Sequence, residues 1–270
     1  MALCHKPNRL DASTNLHSEQ VQLALSHKDE TEKFVDYFRR HLHSIAALPV
    51  ECVSTPLYQK ILYVTVLDAL SKSVYPRSGN RTRMVSFLRK FSEWQDAEKV
   101  SLTHLVQLLK RVPDPAFEEL RTFAVETFEK WPVHKGEIVT LDVDPTFETV
   151  RSKWPVEKEH RVPIENVSLE SLQHVRLFYT YRNSLVHELR EPSFGMDLSQ
   201  RHKPHYHLVS DLTTYDTVGL KTVALVYPVT FFRTLCDNGL SNLAAYLERN
   251  DLNPYDYYVV GDYWIHELNI

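Results

Sequence analysis

Apolar residues recur along this chain at helical spacing over most of its length. Val21, Leu25, Phe34, Phe38, Leu42 and Ile45 are separated by sums of three and four, which places their side chains on one helical face. A helix over about 16–47 follows, ended by Pro49, with residues 1–15 as a loose arm. A second row, Leu57, Ile61, Val64, Leu67 and Leu70, predicts a helix over 56–74. The turn 75–80 contains Pro76 and Gly79, and Asn80 is expected to cap a third helix bearing Met84, Phe87, Leu88, Phe91 and Trp94. Ser101 is expected to cap a fourth helix reaching Val112. A fifth spans Pro115 to Trp131, with proline in the first turn, where its missing N–H costs little.

The pattern then breaks. Residues 132–166 hold Pro132, Pro145, Pro155 and Pro163 and read as an irregular connector with a short strand near 137–142. Ser168, Leu169, Glu170 and Ser171 open a further helix that stops before Pro192. Residues 205–212 and 220–227 alternate and are rich in Val, Leu and Tyr, which predicts a two-stranded hairpin. A last long helix covers about 228–249, and the aromatic, β-branched stretch 257–265 suggests one more strand. The class expected is mainly α, a helical bundle with a small β hairpin appendage. Residues 1–55 read as an N-terminal helical arm. Residues 56–250 form the main helical domain, with the hairpin inserted at about 205–227, and 251–270 form a tail packing on it.

Composition narrows the chemistry. At 270 residues with a net charge of −4, the chain can bury a normal core and is not a uniformly basic nucleic-acid binder. Six glycines form neither GxxxxGK[ST] nor GxGxxG, which argues against phosphate-loop and dinucleotide folds. Cys4, Cys52 and Cys236 are odd in number and form no CxxC pair, so free thiols in a reducing compartment are expected. The N-terminal residues lack the apolar run of a secretion signal, and no apolar run is long enough to span a bilayer, so the expectation is a cytoplasmic protein without membrane contact.

The stretch Tyr181-Arg182-Asn183-Ser184-Leu185-Val186-His187 carries the strongest chemical signal. On a helical wheel Phe178, Tyr181, Leu185 and Leu189 form the core face. Roughly opposite runs a polar stripe of Arg176, Thr180, Asn183, His187 and Arg190, with Tyr179 at its edge. Asn183 and His187 are four apart and stack on one side, and the long stem of Arg182 can swing toward them. A guanidinium that grips phosphate thus lies near an imidazole that titrates close to neutral pH. A solvated helix face normally mixes charge signs, whereas this one is rich in cations.

Arg182-Asn183-x-x-x-His187 resembles the Arg-x4–6-His signature of the HEPN superfamily, all-helical domains of which many are metal-independent endoribonucleases. In that family the motif sits near the end of a late helix, and Asn, Asp or His commonly follows the arginine. The stretch Leu67-Asp68-Ala69-Leu70-Ser71-Lys72, with Tyr75-Pro76 and Asn80-Arg81, also resembles the first helix pair of bacterial HEPN-like proteins. The likeness extends over about residues 56–249. It implies an RNA substrate and a setting in bacterial defence or toxin–antitoxin pairs, with an antitoxin or regulatory protein as a further partner. It also implies catalysis by Arg182, Asn183 and His187 without cofactor or metal. The products would be a 2′,3′-cyclic phosphate and a 5′-hydroxyl. One chain offers one helical motif, so a homodimer with a composite active site is implied.

Other residues fit an RNA track. Lys72, Arg77, Arg81, Arg83, Arg89 and Lys90 fall in a stretch without carboxylates, and with Arg176, Tyr179 and Arg190 they are candidate backbone contacts. Asp68 reads first as a surface or capping residue and second as the partner of an active-site cation. His202, His205 and His207 lack a nearby cysteine or carboxylate before Asp211 and read as a loop entering a strand. Two other readings stand beside the nuclease: a non-catalytic RNA- or nucleotide-binding module of the same fold, and a scaffold or partner protein using the polar ridge for assembly.

Overall fold

A computed structural model describes residues 12–49, 54–192, 197, 201–210 and 221–258, with the backbone alone for 12–26 and 210. It is mainly helical. The helices are α1 (Ala12–Ala46), α2 (Thr55–Val74), α3 (Asn80–Phe91), α4 (Leu102–Lys110), α5 (Glu118–Glu129), α6 (Phe147–Ser152), α7 (His174–Glu188) and α8 (Val229–Arg249). The strands are β1 (Val139–Thr140), β2 (His205–Ser210) and β3 (Lys221–Val226).

Helix α2 packs on α3, α7 and α8, and α3 also packs on α7 and α8. Their shared core holds Tyr63, Leu67, Leu70, Phe87, Phe178, Phe232 and Leu243, all but solvent-free. Close packing at this core leaves no room at Gly239 of α8, where an added Cβ would stand 2.9 Å from the Phe87 ring. The second half of α1 lies on α2 and α8 through Phe34, Phe38 and Leu42. Tyr255 and Tyr258 close over Phe34 with ring centroids at 6.0 and 5.6 Å.

Several local expectations shift. Asn80 is the first residue of α3 and Gly79 holds the extended cap position. Ser101 does precede α4, but its hydroxyl makes no cap bond; Asp144 Oδ1 accepts from Leu102 N at 2.8 Å instead. Pro115 starts a 3₁₀ turn, capped by Asp114, that leads into α5. The sequence pattern gave no hint of α6, which is only six residues long and capped by Thr146. A 3₁₀ turn at Leu169–Leu172 precedes α7, and the extended Gln173 separates the two.

The expected two-stranded hairpin is the larger part of a three-stranded antiparallel sheet ordered β1-β2-β3. Val139 pairs with Tyr206, and Tyr206 with Leu225, so the short strand of the connector completes the sheet. Tyr206 is fully buried and anchors the sheet, its ring 5.1 Å from Trp131. A strand expected at 257–265 lies mostly outside the described residues; Pro254–Asp256 form a 3₁₀ turn, and Tyr257 and Tyr258 are not in a strand.

Candidate active site

The site forms where α7 crosses α2. Phe178, Tyr181 and Leu185 face the core, which turns Arg182, Asn183 and His187 toward the open side. Leu189, expected on the core face, is 60% exposed. The helix ends at Glu188, Leu189 takes the left-handed conformation at φ 52°, and Arg190 N donates back to Ser184 O at 3.4 Å. That bend swings Leu189 off the row one turn early. A left-handed leucine is uncommon because its Cβ crowds the backbone.

Arg182 is the centre of the geometry. Its Nε donates to Asp68 Oδ2 at 2.8 Å, and Nη2 donates to the same oxygen. Its Nη1 donates to Asn183 Oδ1 at 3.2 Å and lies 3.4 Å from His187 Nε2. Both Arg182 and Asp68 are largely enclosed, at 11% and 14% side-chain exposure, whereas His187 is open to solvent. The structure therefore brings together the three residues of the motif. It also corrects Asp68, which is neither a cap nor a free surface residue but the carboxylate that orients Arg182. Asp68 Oδ1 is buried and has no hydrogen-bond partner.

The remaining candidates divide. Tyr179 is buried, with the Arg81 and Arg182 guanidiniums 5.5 and 5.9 Å from its ring centroid, so it links Arg81 to the motif. Lys72 stands one turn after Asp68 on α2 and is exposed. Arg77 is exposed in the turn before α3, and Arg83 and Arg176 are half-buried, each with an unpartnered Nε. Arg190 is exposed and pairs with Glu188. The ridge is thus less purely cationic than the wheel implies, because Asp68 comes from another helix and Glu188 folds back.

Two polar clusters escaped the sequence pattern. Lys60 is fully buried on α2 and donates to both oxygens of Glu191 at 3.0 Å, with Asp197 Oδ2 at 3.2 Å. Tyr181 Oη donates to Glu191, and Val229 N donates to Asp197 Oδ2 at 2.8 Å. Burial, then the Glu191 carboxylate, holds the Tyr181 phenol protonated far above its ordinary range. The available signal was a lysine four residues before Val64 and seven before Leu67, in register with the buried row. The second cluster is built on Asp144. Its Oδ2 lies 2.7 Å from His174 Nε2 and accepts from Tyr206 Oη at 2.8 Å, all three groups being buried. Tyr206 Oη is also 2.8 Å from Ser101 Oγ, which is 2.8 Å from His104 Nδ1. Ser101 and His104 are three apart at the start of α4, but Asp144, His174 and Tyr206 come from separate parts of the chain, and no local spacing joins them to that pair.

His205 is buried, and its ring lies 5.7 Å from that of His207. Among the described residues no group of three or more His, Cys, Asp or Glu could hold a metal ion, and no helix is long and apolar enough to cross a membrane. Cys236 is a buried free thiol that donates to Tyr63 O; Cys4 and Cys52 lie outside the described residues. Comparison with protein-family models, curated proteins and solved structures yields no match.

Proposed function

We propose that this chain is an endoribonuclease of the HEPN type that cleaves RNA through Arg182, Asn183 and His187 and works as a homodimer. One observation carries the reading. The Arg182 guanidinium spans Asn183 and His187 at 3.2 and 3.4 Å while Asp68 fixes its other edge, so an exposed imidazole is held beside an oriented cation. In the reaction, the ribose 2′-oxygen attacks phosphorus as a base takes its proton, and the P–O5′ bond breaks as an acid protonates the departing oxygen. The products are a 2′,3′-cyclic phosphate and a 5′-hydroxyl. His187 serves as acid or base, and the Nη1 edge of Arg182 supports the charged phosphate oxygens. A second copy supplies the second imidazole. Exposed Val186 and Leu189, on either side of His187, give that copy apolar surface to cover. The setting in bacterial defence or a toxin–antitoxin pair follows from the resemblance, and a cytoplasmic location from the odd number of cysteines without a CxxC pair.

The test is cleavage of end-labelled RNA by the purified protein in EDTA. Wild type is expected to cut RNA and spare DNA, which lacks the 2′-nucleophile. His187→Ala is expected to lose about 10²–10⁴-fold in rate, with unchanged circular dichroism. Full activity in both His187→Ala and Arg182→Ala would remove the assignment.

A second reading has its own support. Asp68 occupies two of the guanidinium donors, leaving Arg182 less able to grip phosphate with both arms. A non-catalytic RNA- or nucleotide-binding module would show this arrangement and would bind labelled RNA without cutting it.

A further inference from the structure

A cleft of about 760 Å³ opens on another face of α7, between α4, the β2–β3 sheet and Thr180. We infer that it is a second ligand site, for a phosphorylated nucleoside, either free or as one unit of an RNA strand. The inference stands on its own residues, whether or not the Arg182–His187 motif cuts RNA.

Charge is the first argument. Every charged side chain among the described lining residues is basic: Lys110 and Arg111 at the end of α4, and Lys221 at the start of β3. All three are exposed, and none has an ion-pair partner among the described residues. This occurs in a chain of net charge −4, where scattered surface would be expected to mix signs. The cleft is therefore complementary to an anion.

Shape and polarity specify the rest of the ligand. The floor is apolar, from Leu177, Leu208, Leu225 and Phe128, and can cover a flat ring. The volume suits a ligand of nucleotide size. Cations beside an apolar floor match a molecule with a ring at one end and phosphate at the other.

The Asp144 network supplies a fixed polar contact. A carboxylate only accepts, so Tyr206 donates to Asp144, which leaves Ser101 to donate to Tyr206 and His104 Nδ1–H to donate to Ser101. The proton of a neutral His104 is thereby placed on Nδ1, and Nε2 is left as an acceptor for a ribose hydroxyl or a base N–H. The buried network thus sets the tautomer of a side chain that lines the cleft.

The test titrates the full-length protein with N-methylanthraniloyl-ATP and, separately, with a short 3′-fluorescein RNA. Saturable binding of the nucleotide, displaced by unlabelled ATP, identifies the free ligand; saturable binding of RNA alone identifies the strand. In either case Lys110→Glu/Arg111→Glu is expected to weaken binding at least about tenfold. Thr180→Trp, which fills the cleft without changing charge, is expected to weaken it similarly. Arg182→Ala/His187→Ala is expected to retain nucleotide binding and to retain that part of RNA binding which the cleft variants remove. The inference is overturned if neither probe binds, if both cleft variants bind like wild type, or if only the Arg182/His187 variant loses binding. Nuclease activity does not enter these readouts, so failure here is separate from failure of the proposed reaction.

Discussion

Two ion pairs tie α2 to α7 and the residues just after it, and they are built with opposite polarity. At one, α2 offers the cation: Lys60 reaches Glu191 and Asp197. At the other, eight residues along, α2 offers the anion: Asp68 reaches Arg182. The first encloses its cation completely, while Glu191 and Asp197 keep 22% and 15% of their side-chain surface exposed. Lys60 is fully buried, and its partners are also held by Tyr181 and the start of α8. The second stays open on one side, where Nη1 of Arg182 meets an exposed imidazole. The contrast separates two uses of one interaction. A closed pair with all its donors answered fixes the chain beyond α7. A half-open pair holds one charge in place and leaves part of its hydrogen-bonding capacity for something else.

The strongest way to break this contrast is to remove Lys60. Lys60→Met leaves Glu191 and Asp197 facing each other with no cation, largely enclosed. Losing one partner of a buried pair costs about 3–5 kcal/mol. Urea unfolding should show that loss as a lower midpoint. A variant within about 0.5 kcal/mol of wild type would mean that water already reaches this cluster and that the two pairs are of one kind.

Asp68→Ala should have a smaller structural effect and a larger functional one. Arg182 is partly enclosed, and its charged hydrogen bonds to Asp68 are worth about 1.5–3 kcal/mol. The chain should remain folded. Freed from Asp68, Arg182 is no longer aimed at Asn183 and His187, so RNA cleavage should fall by about tenfold or more, while Asp68→Glu should recover part of it. Equal activity in wild type and Asp68→Ala would show that the carboxylate merely fills space.

How these pairs were or were not legible in the sequence follows from how each is assembled. Arg182, Asn183 and His187 sit within six residues on one helix, where the 3.6-residue period brings them together without help from the fold. Their proximity could be read directly. Asp68 lies 114 positions from Arg182, so only the packing of α2 on α7 decides whether it is a cap, a surface group or a partner. Lys60 stayed hidden for a different reason. Apolar periodicity counts a lysine as solvent-facing, yet Lys60 is fully buried, its Nζ 5.9 Å from the Phe232 ring centroid, where two carboxylates from beyond α7 are in reach. The helices themselves were well marked by the same periodicity. All three strands were marked, β1 within 137–142, but their union in one sheet was not, because β1 is two residues long and joins the sheet only through its pairing with β2.

Acid should distinguish the closed side from the open one more gently. His205 senses Lys60, Asp197 and Arg201, and burial dominates in pushing its imidazole below the ordinary value; burial and then His205 do the same to His207. A histidine with a depressed folded-state pKa binds fewer protons folded than unfolded. Its contribution to stability is therefore complete above the unfolded value of about 6.5 and is lost as the pH falls below that through the folded-state value. The melting temperature should drop between about pH 7 and pH 5, and His207→Gln should reduce the drop. A melting temperature rising over that interval would mean that the imidazoles are charged in the folded state.

The smallest expected effect lies at the exposed pair of Arg190 and Glu188, at 59% and 48% side-chain exposure. These two flank the end of α7 as Lys60 and Glu191 do, but water surrounds them. An exposed ion pair contributes about 0–1 kcal/mol, so Glu188→Gln should unfold within about 0.5 kcal/mol of wild type. Its consequence should be electrostatic. Removing the carboxylate next to His187 leaves Arg190 unpaired and makes the open side more positive, which should tighten RNA binding at low salt by a small factor that vanishes as salt rises. A stability loss comparable to that of Lys60→Met would show that the end of α7 is held by its outer charges as well as by the Lys60 cluster behind it, and the division between a closed pair and an open one would have to be redrawn around Leu189.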